Sequence, residues 1–325
     1  MNDDTRALID RADLDGLIRL VDNFCDSRDW DALADLRDAC RAATQSGRQV
    51  WPASTLAEYR LALLAPAEHA VEMLDDPGRF TIGPLTEVIA QHHTWEELSD
   101  LLDDGPQAAF VAHERAIRGE VIDDGVFDGG VFDVLDIPVA LADWEPDYAL
   151  AVYRDNDGVF DSPLPPSTEA VRAMDGTPVA VTDTVRDAFA QLVAPWTESS
   201  NGRLAIVAVE GDERAALGAL GVTSPRLGSM TGADAIRWLA WAGASGGAYG
   251  RRRGNAIGRF NAWWTVAALA ALQWPPTDAD MLGALDALRW SWWEGDVTPT
   301  GWRLQLVVHD PRHDTTLIVD GRDAR

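Results

Sequence analysis

Trp302-Arg303-Leu304-Gln305-Leu306-Val307-Val308 runs into His309-Asp310-Pro311-Arg312-His313 and then into Thr315-Thr316-Leu317-Ile318-Val319. Two Val/Ile/Leu-rich runs on either side of a short polar turn have the pattern of an antiparallel β-hairpin. An isolated hairpin is marginal in water, so this one requires partner strands. Upstream, Pro178 to Thr182 and Arg203 to Val209 (RLAIVAV) read as buried strands. Between them and the hairpin lie three amphipathic or apolar segments, 232–243, 256–273 and 278–293, which read as helices. Strands interleaved with consecutive helices and closed by an antiparallel pair predict an α+β region rather than a doubly wound sheet.

Further out, residues 121–167 change character. Gly-Val-Phe-Asp occurs at 125–128, 130–133 and 158–161 among Asp-rich turns, and Ser162-Pro-Leu-Pro-Pro-Ser167 forms a stiff linker. Pro138 to Leu141 and Tyr148 to Tyr153 read as strands. Asp155-Asn-Asp-Gly158 is not a calcium loop, because a register with Gly158 at its sixth position puts Tyr153 and Leu164 where the end ligands belong.

The first 120 residues read as helices. Residues 17–38 and 82–103 align without gaps, with Leu20/Leu85, Trp30/Trp95, Leu33/Leu98, Asp35/Asp100, Leu36/Leu101 and Asp38/Asp103 identical. Asp29 and Thr94 precede the tryptophans and fit N-caps. The expected organisation is a HEAT- or TPR-like helical-hairpin region over 1–120, strands and linker over 121–167, and a mixed α/β region over 168–325.

The 325 residues carry 53 acidic against 27 basic side chains, a net charge of −26, and every basic residue is Arg. Such a field repels nucleic acid and anionic membranes. The absence of lysine excludes PLP Schiff-base chemistry, lysine nucleophiles and a standard Walker A loop. Cys25 and Cys40 form neither a disulfide framework nor a metal spacing. Met1-Asn-Asp-Asp4 lacks the apolar core of a signal peptide, and the uncharged run Phe260–Trp274 is 15 residues long, short of the ~20 that span a bilayer. These features point to a cytoplasmic protein.

Charge is unevenly distributed. Residues 235–277 contain five arginines and no Asp or Glu. Within them lies Gly243-Ala-Ser-Gly-Gly-Ala-Tyr-Gly-Arg-Arg-Arg-Gly-Asn-Ala-Ile-Gly-Arg-Phe260. Arg251, Arg252, Arg253 and Arg259 offer guanidinium forks for carboxylate or phosphate oxygens. Ser245, Gly246 and Gly247 offer backbone donors, and Tyr249 a stacking face. A helix starting at Asn255 or Ala256 would aim its N–H groups at the same place. The competing interpretation is internal: Gly246, Gly250, Gly254 and Gly258 fall every fourth residue, as for close helix packing, and the arginines could answer the acidic N-terminal half.

Nine of 14 tryptophans lie at or after Trp238, and Trp238/Trp241 and Trp290/Trp293 have the i,i+3 spacing of a helix face. Aromatic core is the expected use. The histidines yield no metal motif; His113-Glu114-Arg115 with Arg118 and Glu120 reads as a helical charge lattice, and His309 and His313 flank a turn without needing to converge.

Several stretches resemble a family of uncharacterised bacterial proteins from GC-rich actinobacteria. They are Trp51-Pro52, Ala57-Glu-Tyr-Arg-Leu-Ala-Leu63, Gly78-Arg-Phe80 with Gly83-Pro-Leu85, Ala112-His-Glu-Arg115 with Arg118-Gly-Glu120, and Trp144-Glu-Pro146. The clearest are Gly246 to Gly254, Gly258-Arg-Phe260 and Ala262-Trp-Trp264. The resemblance spans nearly the whole chain, which it implies is a complete protein, and it carries no activity. The sequence therefore leads to a non-enzymatic cytoplasmic binding or adaptor protein without cofactor or metal, whose Gly/Arg segment meets an anionic small molecule or an acidic protein surface. The alternatives are an enzyme acting on a phosphorylated small molecule or nucleotide through the same arginines, and a purely structural segment.

Overall fold

In a computed structural model the chain is described over residues 3–78, 81–103, 105–122, 134–163, 167–295 and 300–324. It divides into two compact units, one made of 1–134 with 151–159 and the other of 135–150 with 160–325. Helices dominate the first, and the second mixes helices with an antiparallel sheet ending in the hairpin.

The first unit runs through α1 (Asp3–Asp10), α2 (Leu14–Ser27), α3 (Trp30–Gln45), α4 (Trp51–Leu64), α5 (Ala67–Val71), α6 (Leu85–Ile89), α7 (Trp95–Leu98) and α8 (Pro106–Ile117), followed by a short ladder of β1 (Val152–Tyr153) and β2 (Gly158–Val159). The caps lie where the sequence places them. Asp29 accepts from Ala32 N–H at 3.2 Å, and Thr94 forms a reciprocal capping box with Glu97. Between the caps the two aligned segments differ: one makes helices of 14 and 16 residues, the other of 5 and 4.

α4 lies at the centre of the unit, buried on all sides from Ala57 to Leu63. Its buried polar residues each have partners, although Arg60 Nε makes no hydrogen bond among the described residues. Glu58 accepts from Gly78 N–H and pairs with Arg41; the Tyr59 hydroxyl donates to the Arg154 and Asp157 carbonyls; Arg60 pairs with Asp22 and Asp155. The Tyr153 hydroxyl donates to Glu87 at 2.6 Å. His113 and Glu114 are buried in α8, and Arg115 pairs with Glu120 at 2.6 Å.

The second unit contains β3 (Glu169–Ala170), β4 (Thr177–Val179), α9 (Asp183–Leu192), α10 (Ala194–Glu198), β5 (Arg203–Glu210), α11 (Glu213–Ala219), β6 (Arg226–Met230), α12 (Gly232–Ala244), α13 (Asn255–Leu269), α14 (Asp278–Ala287), β7 (Arg289–Glu294), β8 (Trp302–Asp310) and β9 (Thr315–Asp323). The strands form one sheet in the order β3-β6-β7-β8-β9-β5-β4. One face packs on α11 through Ala216, Leu217, Val209, Trp293, Val307 and Ile318. On the other, Trp238 of α12 meets Trp292 of β7 edge-to-face at 6.3 Å.

Three expectations require correction. Residues 278–293 are not one helix: α14 ends at Ala287 and Arg289–Glu294 is a central strand. Trp290 and Trp293 therefore share no helix face, and alternation along β7 sends Trp292 and Trp293 to opposite faces of the sheet. Pro138–Leu141 is not a strand, and of Tyr148–Tyr153 only Val152–Tyr153 is. The first two Gly-Val-Phe-Asp copies and residues 164–166 of the linker lie outside the described residues.

Candidate functional site

The Gly/Arg segment consists of the end of α12, a loop over 245–254 and the start of α13. The glycines divide between two tasks. Gly258 abuts α12, where an added Cβ would overlap Ala240 O and Ala244, and this lets the two helices approach closely. Gly247 sits at φ +70° in the loop, a conformation that favours glycine.

The loop is held from inside. Gly247 N–H donates to Ser245 Oγ at 3.1 Å, and Ala248 N–H donates to Asp323 Oδ2 at 2.6 Å. Asp323 is buried and also accepts from Ser200 Oγ at 2.9 Å. Of the backbone donors expected to receive an outside anion, Gly247 N–H is thus taken up by Ser245 Oγ and Ser245 N–H by the Trp241 and Ala242 carbonyls, while the carboxylate at the end of β9 holds the neighbouring Ala248.

The arginines separate by depth. Arg253 donates through Nε to Gly243 O at 2.9 Å, through Nη1 to Gln191 O at 2.9 Å and through Nη2 to Leu192 O at 2.5 Å. It places its charge at the C-terminal ends of α9 and α12, where the helix dipoles are negative. Burial lowers its pKa to about 10, so it remains a cation at neutral pH. Arg259 is fully buried and forked onto Glu145, Nε to Oε2 at 2.7 Å and Nη2 to Oε1 at 2.6 Å. It also donates to the carbonyls of Pro138 at 2.6 Å and Ala140 at 3.2 Å. Tyr148 Oη, Trp263 Nε1 and the Ala142 N–H also donate to Glu145. Burial alone would raise the Glu145 carboxyl, but the Arg259 charge and these hydrogen bonds outweigh it and hold the pKa below its ordinary value.

Arg252 donates to Asn255 Oδ1 at 3.0 Å and stacks its guanidinium over Phe160 at 4.7 Å. Arg251 is exposed, and Tyr249 is 61% exposed. Ser245 and Gly246 are buried. The structure thus brings all eight predicted residues onto one loop and helix start, but only Tyr249 and Arg251 present mainly outward-facing side chains. Glu145 and Asp323 were missed as members of the cluster. Glu145 stands beside Trp144 and Pro146 in one of the family-like stretches, a positional hint, whereas nothing local marks Asp323.

The histidines of the terminal hairpin do not converge. His309 is buried against Thr316 Oγ1 at 2.8 Å, and His313 meets Asp310 at 2.7 Å in the exposed turn.

Fold and site together define an α+β protein with a helical first unit and, in the second, a Gly/Arg loop braced against an antiparallel sheet. The chain belongs to the "Family of unknown function (DUF6183)", whose model matches residues 15–324. No curated protein and no solved structure matches it. No helix among the described residues is long and apolar enough to cross a membrane.

Proposed function

We propose that this is a non-enzymatic binding or adaptor protein of the cytoplasm, and that the outer edge of the Gly/Arg loop meets an acidic protein surface or an anionic small molecule. The observation that carries this reading is the exposed pair Tyr249 and Arg251 on a loop pinned by Ala248–Asp323, Gly247–Ser245 and Arg253. A pinned loop has little conformational entropy left to lose on binding. Its positive segment, in a chain of net charge −26, would orient an acidic partner during encounter. Arg253 and Arg259 support the structural alternative for the inner half of the segment. Their commitment to internal partners also weakens the enzymatic one, which needed their charge at a substrate.

The test is fluorescence anisotropy of a labelled oligoglutamate peptide, with pyrophosphate as competitor, against the wild type and a Tyr249→Ala/Arg251→Ala variant. Binding that weakens with salt and is lost in the variant supports the reading. Equal binding by both proteins, or by neither, overturns it.

A further inference from the structure

The sheet register sets three arginines side by side. Arg203 of β5 lies directly opposite Arg322 of β9, and Arg322 lies directly opposite Arg303 of β8. Directly opposite cross-strand residues have Cβ atoms about 5 Å apart, and like charges there are destabilising. Two of the three are compensated. Arg322 is bonded through Nε to Asp320 and stacks over Trp293 at 5.6 Å. Arg303 pairs with Glu294 at 3.2 Å and stacks over Trp292 at 5.8 Å. Arg203 is exposed and has no acidic partner among the described residues.

Arg203 and Arg322 also line a basin of about 430 Å³, together with Trp293, Asp320, Val222 and Thr223. That is the size of a small-molecule site. In the strand beneath, Gln305 is fully buried and directly opposite Asp320, and neither atom of its amide has a hydrogen-bond partner among the described residues. The site is separate from the Gly/Arg loop: along β9, Arg322 and Asp323 project from opposite faces of the sheet, and it is Asp323 that braces the loop.

We propose that this basin binds the phosphate group of a small phosphate monoester. Neighbouring guanidiniums about one strand apart can share the oxygens of a tetrahedral dianion, which relieves the like-charge row. Trp293 and Val222 offer an apolar wall to the organic body. Asp320 can accept from a ligand hydroxyl and disfavours a ligand carrying several carboxylates.

The experiment is isothermal titration at low salt with phenyl phosphate, and with citrate as the polycarboxylate arm, on the wild type, Arg203→Ala and the loop variant Tyr249→Ala/Arg251→Ala. Saturable 1:1 binding of phenyl phosphate is expected, weakened about tenfold or more in Arg203→Ala and unchanged in the loop variant, with citrate weaker. Arg203→Gln replaces Arg203→Ala if the latter does not fold. The proposal is overturned if the wild type does not bind phenyl phosphate, if folded Arg203→Ala binds it as the wild type does, if the loop variant loses it, or if citrate binds more tightly. Only the loop-variant result also bears on the loop reading.

Discussion

Arg259 and Glu145, separated by 114 positions in sequence, form a fully buried bidentate ion pair whose four N/O contact atoms meet at 2.6 and 2.7 Å. Breaking such a pair strands a charge in the core. Glu145→Gln should destabilise the protein by about 3–5 kcal/mol in urea unfolding. Arg259→Met combined with Glu145→Leu should recover part of that loss, because both charges leave together.

The same pair sets a pH dependence. Glu145 has its pKa depressed in the folded chain, so its stabilisation is present above the unfolded carboxyl pKa, about 4.3, and is lost as pH falls through the lower folded value. Urea midpoints measured from pH 6 down to pH 3 should fall less steeply for Glu145→Gln than for the wild type. Parallel slopes would contradict the assignment.

Arg253 ties the ends of α9 and α12 together through three carbonyls. Arg253→Ala should cost about 3 kcal/mol and speed amide hydrogen exchange around Gln191 and Gly243. Arg253→Lys should restore little, since a single ammonium lacks the planar spread of donors.

Two glycine substitutions should act in opposite directions. Gly258→Ala drives a methyl into Ala240 O and should cost about 1–3 kcal/mol as α12 and α13 part. Gly283, in the middle of α14, has nothing within 4 Å of an added Cβ, and Gly283→Ala should stabilise by about 0.5–1 kcal/mol. Thermal unfolding of the two variants checks both signs.

The thiols should differ in reactivity. Cys40 is fully buried and desolvation pushes its pKa up to about 11, whereas Cys25 is partly exposed, with a pKa also raised by burial. Thiol titration with a chromogenic disulfide at pH 8 should detect slow reaction of Cys25 alone in the native protein and both in denaturant. Cys25→Ser should abolish the native signal.

What was legible in sequence follows the range of the interactions. The hairpin and RLAIVAV run stood out because strand alternation and β-branched content are local signals, and the caps at Asp29 and Thr94 are set by residues three positions on. Trp290 to Trp293 was misassigned because Trp-Ser-Trp-Trp satisfies an i,i+3 count and follows an Ala/Leu-rich helix without a Gly or Pro between them. The site was half legible. Clustered arginines marked the loop, but Glu145 and Asp323 lie 114 and 75 positions from their partners, and the Arg203–Arg322–Arg303 row exists only once strand register is fixed.

The position of β9 in the sheet bears on how the chain is made. It lies between β8 and β5, yet β5 is more than 100 residues upstream. During synthesis β5 and β8 therefore emerge with open edges facing each other across a gap that only β9 fills. Until it inserts, the second unit consists of two incomplete sheets with unpaired backbone, vulnerable to strand exchange between nascent chains. Substitutions that weaken β9, even conservative ones such as Ile318→Val, should then reduce soluble yield from cells by more than the stability of the purified protein accounts for.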